Sequence, residues 1–308
     1  MTRSTRLRLP MGAAMVAGLL AGPACADLIG ADVGRVVDRQ EKRFSTTGTP
    51  DVDVSTFDGP IEIRPWDRPE VLVVIEKRAR DKADADTIEV HSEQNGNHVT
   101  LDARVPKGER SFGISWHRSR TAKLIVSAPA TSNILAKSGD GSIDIARISG
   151  HVDLRSGDGS IEARDVTGDL RAHTGDGSIK LDGVDGALEV DTGDGSISVS
   201  GRFTSVRART GDGAVTIRAA SGSAATGDWD ISTGDGSVTL ELPDGFGGEL
   251  DAHTGDGRIH MQDITVSNVT GQIARNRVRG TLGSGGRAVK VRTGDGTITL
   301  RRSLSAER

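Results

Sequence analysis

The chain has 308 residues, 35% of them hydrophobic and 27% charged, which places it in the globular range and excludes global disorder. Its 39 basic and 43 acidic residues leave a formal charge of −4, so the overall basic footprint of a nucleic-acid or anionic-membrane binder is excluded as well. Aromatics amount to 3% with no tyrosine, whereas glycine reaches 41 residues, so stability must come from many small aliphatic contacts and turns.

Residues 1–26 read as a signal peptide. Arg3, Arg6 and Arg8 form a positive n-region, and Leu9 to Gly22 is an apolar stretch too short for a comfortable membrane span. Ala24-Cys25-Ala26 fits a small-x-small cleavage pattern, and a mature start at Asp27 discards the only cysteine, leaving no disulfide. The competing reading makes Cys25 a lipidated N-terminus, but Gly22-Pro23-Ala24 lacks the bulky aliphatic residue usual before a lipoprotein cysteine. No later stretch approaches the ~18 apolar residues of a membrane helix. The sequence therefore predicts an exported protein of the periplasm, outer surface or exterior, soluble or peripherally attached.

Residues 27–44 are expected to be an N-terminal cap, in the form of a helix closing the end of the domain, or a linker. Residues 45–130 are strand-rich but irregular, with alternation in Val52-Asp53-Val54, Ile61-Glu62-Ile63, Val71 to Ile75 and Val99-Thr100-Leu101. Phe57-Asp58-Gly59-Pro60-Ile61 looks like a degenerate first copy of the Gly-Asp-Gly repeat that fills the C-terminal half.

Residues 131–302 carry a repeated T/S-G-D-G motif whose aspartates fall at 140, 158, 176, 194, 212, 235, 256 and 295. The first four steps are 18 residues; steps of 23, 21 and 39 then suggest loop insertions and, around Val278 to Val291, one coil whose motif has eroded. Apolar columns follow each aspartate, among them Ile143, Ile161, Ile179, Ile197 and Val215, and later Val152, Leu170, Leu188 and Val206. Polar residues such as Asp144, Glu162, Asp153 and Arg171 alternate with them, so each unit holds two short strands joined by Gly-Asp-Gly at one end and by turns such as Ile148-Ser149-Gly150 at the other. An antiparallel meander is compatible with Asp-Gly turns, but it would leave an apolar face that nothing obvious in the chain covers. The favoured fold is therefore all-β, a parallel β-solenoid resembling a single-stranded β-helix, with 18-residue coils of two strands each. Residues 303–308 form a polar tail.

The alternation in Ile61-Glu62-Ile63, the Leu124-Ile125-Val126 strand leading into Ala128-Pro129, and the tandem Gly-Asp-Gly-Ser-Ile copies resemble the bacterial putative-adhesin family of unknown function, over Ser45 to Arg301. The resemblance implies an extracytoplasmic β-solenoid-like domain and supplies no catalytic residues.

Asp140, Asp158, Asp176, Asp194 and Asp212 form the one repeated constellation with chemistry available to it. Stacked at about 4.8 Å, neighbouring carboxylates repel by roughly 0.9 kcal/mol in water. Two arrangements relieve this: each carboxylate caps N–H groups of its own turn while water screens the rest, or calcium sits between coils. Turn formation is the favoured reading, so no cofactor is expected, with calcium as the alternative. The seven histidines are dispersed, and His173 and His253 fall on outward positions. In the Lys107 to Arg120 loop, Arg110, His117, Arg118 and Arg120 flank Phe112 and Trp116, a mixture suited to stacking on a sugar or gripping an anionic polymer. With no reactive cysteine, nucleophile motif or histidine cluster, no catalytic site is expected. The expected function is a non-enzymatic envelope or surface scaffold for multivalent contact with a polysaccharide or protein partner, with no role for nucleic acid. The alternatives are a carbohydrate-active enzyme on a β-helix and an envelope assembly or stress-response component.

Overall fold

The computed structural model describes residues 36–106, 120–269 and 275–303. The signal peptide, Cys25 and most of the Lys107 to Arg120 loop lie outside these residues.

The N-terminal part comprises β1 (Val36–Ser45), β2 (Asp51–Thr56), β3 (Ile61–Trp66), β4 (Glu70–Ala79), α1 (Lys82–Asp86), β5 (Glu89–Asn95), β6 (His98–Arg104) and β7 (Thr121–Pro129). The repeats supply β8 (Asn133–Ser138), β9 (Ile143–Ala146), β10 (Val152–Ser156), β11 (Ile161–Arg164), β12 (Leu170–Thr174), β13 (Ile179–Thr192), β14 (Ile197–Thr210) and β15 (Val215–Ala219). The C-terminal part continues with β16 (Trp229–Thr233), β17 (Val238–Leu242), β18 (Gly248–Thr254), β19 (Ile259–Gln262), β20 (Val266–Ser267), β21 (Arg277–Leu282), β22 (Ala288–Thr293) and β23 (Ile298–Arg302). The protein is all-β and β-solenoid-like.

Repeat strands pair in parallel with the next repeat, not as hairpins. In the first ladder Ile134, Val152, Leu170, Leu188 and Val206 are successive partners. In the second, Ile143, Ile161, Ile179, Ile197 and Val215 are. Each of these side chains is buried, and the two inner faces meet in one continuous core. Burying such an aliphatic side chain stabilises the fold by about 1.5–3 kcal/mol, and the columns repeat that gain at every step.

Chain order and spatial order part company at both ends. β2 lies between β8 and β6, and β3 between β9 and β7, so the strands of residues 98–129 sit outside those of residues 51–66. β4 then pairs antiparallel with β7, β1 with β4, and β5 with β6. The C-terminal end repeats the device: β22 and β23 are inserted between β16 and β17 on one side and β18 and β19 on the other.

Two expectations are corrected by this arrangement. The segment around Val278 to Val291 is not an eroded coil, because β21 runs antiparallel to β18 and carries the chain back so that β22 can be inserted. The described part of the expected N-terminal helix, from Val36 on, is instead the edge strand β1. Its Asp38, Arg39, Glu41, Lys42 and Arg43 mimic a polar helix in sequence, but charges of this kind also protect an exposed strand edge from further pairing.

The steps of 23 and 21 residues arise from insertions before β16 and before β18, at the corner opposite the Gly-Asp-Gly turns. Trp229 fills the enlarged corner, edge-on to Phe203 at 6.2 Å and to Phe246 at 4.9 Å.

Candidate functional site

The Gly-Asp-Gly turns stack into a ridge along one side of the molecule. Within it the capping is done by the first residue of the motif. The Ser138 hydroxyl accepts from Gly141 N–H at 3.0 Å and donates to the Gly59 carbonyl of the neighbouring turn at 2.8 Å. Thr174, Thr192, Thr210 and Thr233 donate in the same way to Gly159, Gly177, Gly195 and Gly213. These hydroxyls are buried, so the threonine or serine of the motif is a structural requirement that its sequence position alone did not disclose.

The motif glycines serve close packing. None has a positive φ among the turns from Gly139 to Gly213, yet a Cβ on Gly195 would stand 2.1 Å from the Gly177 carbonyl oxygen. Backbone N–H groups of Gly157, Gly175, Gly193 and Gly211 bond the carbonyl of the preceding turn's first glycine.

The aspartates Asp140, Asp158, Asp176, Asp194 and Asp212 lie in this ridge, but their carboxylates make no hydrogen bond to a described residue, so they do not cap their own turns as expected. At the start of the ridge Asp58 has its carboxyl pushed above the ordinary value, first by burial and then by the neighbouring Asp140, with the Gly59 N–H pulling it back. Among the described residues no three histidine, cysteine, aspartate or glutamate side chains come together as a metal site.

The outer face of the first ladder is organised in rows. In one row Asp153, Arg171, Glu189, Arg207, Asp230, Lys290, Asp251 and Arg279 are successive cross-strand partners. The charge alternates at every step, so every cross-strand pair along this row is one of opposite charge. Glu189 sits between Arg171 at 3.2 Å and Arg207 at 3.7 Å. The adjacent row does not alternate. It runs Lys137, Arg155, His173, Asp191, Arg209, Ser232, Arg292, His253, Arg277, again as successive partners. Across both rows nine lysines and arginines face five carboxylates, on a chain whose net charge is −4.

Asp251 shows the imbalance locally. Arg279, Arg277 and Arg292 lie 3.1, 3.7 and 3.8 Å from its carboxylate. The hydrogen bond from Arg279, then the fields of the three guanidiniums, hold that carboxyl below its ordinary value against the opposing effect of burial. Arg277 and Arg279 are hidden at the level of sequence because their segment resembles an eroded coil. The signal is present in Arg275-Asn276-Arg277-Val278-Arg279, where Val278 points inward and its neighbours outward.

Of the loop residues expected to form a binding site, Arg110, Phe112, Trp116, His117 and Arg118 lie outside the described residues. Arg120 donates to the Thr87 hydroxyl at 2.7 Å, next to α1. His173 is exposed on the outer face, and His253 lies 3.2 Å from the Asn276 carbonyl through Nδ1. A shallow depression of about 220 Å³ on the first ladder gathers Asp169, Glu189 and Asp228 with Arg171 and Arg207. Its central acid, Glu189, is the one already engaged by both arginines. No helix among the described residues is long and apolar enough to cross a membrane.

The sequence matches no curated protein. Solved structures similar to the chain include a putative cell adhesion protein from Clostridium sporogenes ATCC 15579, 14% identical, covering 87% of this chain and 100% of that one with a TM-score of 0.29. Others are a putative adhesin from Bacteroides fragilis NCTC 9343, 11% identical over 85% and 97% with a TM-score of 0.41, and a putative lipid binding protein from Parabacteroides distasonis ATCC 8503, 12% identical over 85% and 96% with a TM-score of 0.42. Residues 50–301 match the Toastrack DUF4097 family, and with most of its length accounted for in this way the chain belongs to that family.

Proposed function

We propose that this protein is a non-enzymatic, exported scaffold of the bacterial envelope or surface, a parallel solenoid of 18-residue coils whose outer faces make many weak contacts with a polymer or an envelope protein. One observation carries the reading: outward side chains stand in register from strand to strand, so charged and hydrogen-bonding groups are presented in rows at a fixed spacing of about 4.8 Å on a continuous core. A ligand with its own repeat engages several such positions at once, and linked weak contacts add in affinity. The aspartates of the ridge act as turn residues in this reading, with no metal required. Export rests on residues 1–26, with maturation at Asp27 and loss of Cys25.

The test is retention of the mature chain on isolated bacterial envelopes and on a polysaccharide panel, with release of reducing ends measured in the same samples. Retention without release is expected. Release of reducing ends, led by the acids around the depression at Glu189, would make the protein a carbohydrate-active enzyme instead. The mass of the exported protein should begin at Asp27; a lipid mass on Cys25 would overturn cleavage at that site.

A further inference from the structure

We propose that the non-alternating row of the first ladder is a binding stripe for a linear polysaccharide bearing carboxylates of the uronate type, laid along the stacking axis. This inference rests on the scaffold reading and names its partner. Five of the row's positions, Lys137, Arg155, Arg209, Arg292 and Arg277, are cationic, and one, Asp191, is an acid, over nine consecutive strands. At about 4.8 Å per strand the stripe is roughly 38 Å long, enough to engage several residues of a polymer. The row beside it holds equal numbers of cations and carboxylates, and its acids Asp153, Asp230 and Asp251 reach across to the stripe's arginines, so the excess of positive charge is shared by the two rows.

The cations are held in place by acids of the alternating row, Arg155 by Asp153 at 2.7 Å and Arg209 by Asp230 at 2.8 Å, yet across both rows nine cations face five carboxylates. Asp251 is shared by three guanidiniums, and one carboxylate offsets one of them. Lys290, next to the stripe, makes no ion pair among the described residues and is exposed. Arginine forks match planar carboxylates in bidentate fashion, which is the chemistry a uronate presents at each residue. Ser232, His173 and His253 fill the remaining positions with hydrogen-bonding groups suited to sugar hydroxyls. Single-stranded nucleic acid fits less well, because no phenylalanine, tyrosine or tryptophan stands in either row to stack a base. An anionic bilayer fits less well too, because no apolar side chain is interleaved between the stripe's arginines to enter the headgroup boundary.

The experiment measures binding of the mature full chain to polygalacturonate, with neutral dextran, single-stranded poly(dT) and phosphatidylglycerol vesicles in parallel. Polygalacturonate should bind, with affinity falling as salt rises, and dextran should not. The combined substitution Arg209→Gln, Arg292→Gln and Arg277→Gln should lower affinity at least tenfold. Asp191→Asn, which removes the stripe's one carboxylate and leaves every arginine in place, should raise it several-fold. Arg218→Gln, on the opposite ladder beside Glu241, should leave it unchanged. If the triple variant does not fold, the gain from Asp191→Asn still decides the matter. Binding that neither stripe substitution alters, or arginine-dependent binding to vesicles or poly(dT) without polygalacturonate, overturns the stripe while leaving the scaffold reading intact. Failure to bind any polysaccharide or envelope preparation overturns both.

Discussion

The hydroxyl of Thr192 lies 2.9 Å from the carbonyl oxygen of Gly177, the second glycine of the neighbouring Gly-Asp-Gly turn. Both atoms are shut away from water, since Thr192 is buried at 3% exposure. Thr192→Val keeps the shape and removes the donor, leaving a buried carbonyl without that partner at a cost of about 1–3 kcal/mol. Thr192→Ser keeps the hydroxyl and should cost less. Urea unfolding of the three proteins decides this: equal midpoints for valine and threonine would show that the hydroxyl ladder contributes nothing.

Ile179 and Lys180 are adjacent, one facing the core and the other the solvent. Ile179 partners Ile161 and Ile197 in the second ladder and is 1% exposed. Ile179→Asp would bury a carboxylate with no partner, a loss of more than about 4 kcal/mol that approaches the whole stability of many domains. Lys180→Ala should stay within about 0.5 kcal/mol. Soluble expression and far-ultraviolet circular dichroism separate the two outcomes, and a folded Ile179→Asp protein would refute the column assignment.

These two residues show what is legible in the sequence. A period of two within the strand and of 18 between strands decides which side chains face in, because packing against an identical neighbour imposes the same demand at each step. The ends are not legible in that way. β2 meets β6 and β8 across intervals of many residues, and no local pattern states which strand is inserted where. The 39 residues between Asp256 and Asp295 have the right length for two coils, so an antiparallel return through β21 looks like a lost motif. The candidate stripe is hidden similarly. Arg209, Arg292 and Arg277 fall into one row only once β22 is seated between β16 and β18, and the net charge of −4 conceals a basic face behind an acidic ridge.

Arg147, Asp165 and Gly183 occupy equivalent positions of successive repeats, and all three have left-handed backbones, with φ of 55°, 53° and 68°. A side chain there costs roughly 1–2 kcal/mol, of which glycine's extra freedom in the unfolded chain returns about 0.5–1 kcal/mol. Arg147→Gly should therefore stabilise by about 0.5–1 kcal/mol. Gly183→Ala should destabilise, because its Cβ would also meet the Asp165 carboxylate at 2.7 Å. Thermal melts of the pair check the opposite signs.

Asp58 supplies a pH dependence. Its folded carboxyl is raised by burial and by Asp140, so folding favours the protonated form. The associated stability is fully present below the unfolded pKa and is lost as pH rises through the folded one. Asp58→Asn should consequently raise the melting temperature at neutral pH, with the gain shrinking as pH falls through the carboxylate range. The Asn side-chain oxygen can still accept from Gly59. A gain that grows on acidification would contradict the assigned direction.

Asp58, Asp140, Asp158, Asp176, Asp194, Asp212, Asp235, Asp295 and Asp256 succeed one another along the ridge of stacked turns. At about 4.8 Å each neighbouring pair repels by roughly 0.9 kcal/mol in water. Raising sodium chloride from about 0.01 M to about 1 M shortens the screening length from about 30 Å to about 3 Å. The melting temperature should rise over that range, and Asp194→Asn should both raise it at low salt and flatten its salt dependence. If the aspartates act as turn residues, calcium chloride at matched ionic strength does no more than sodium chloride. A saturable rise specific to calcium, abolished by a chelator and weakened by Asp194→Asn, would instead make the ridge a metal ladder, because only a ligand bound by the folded state shifts the equilibrium in that way.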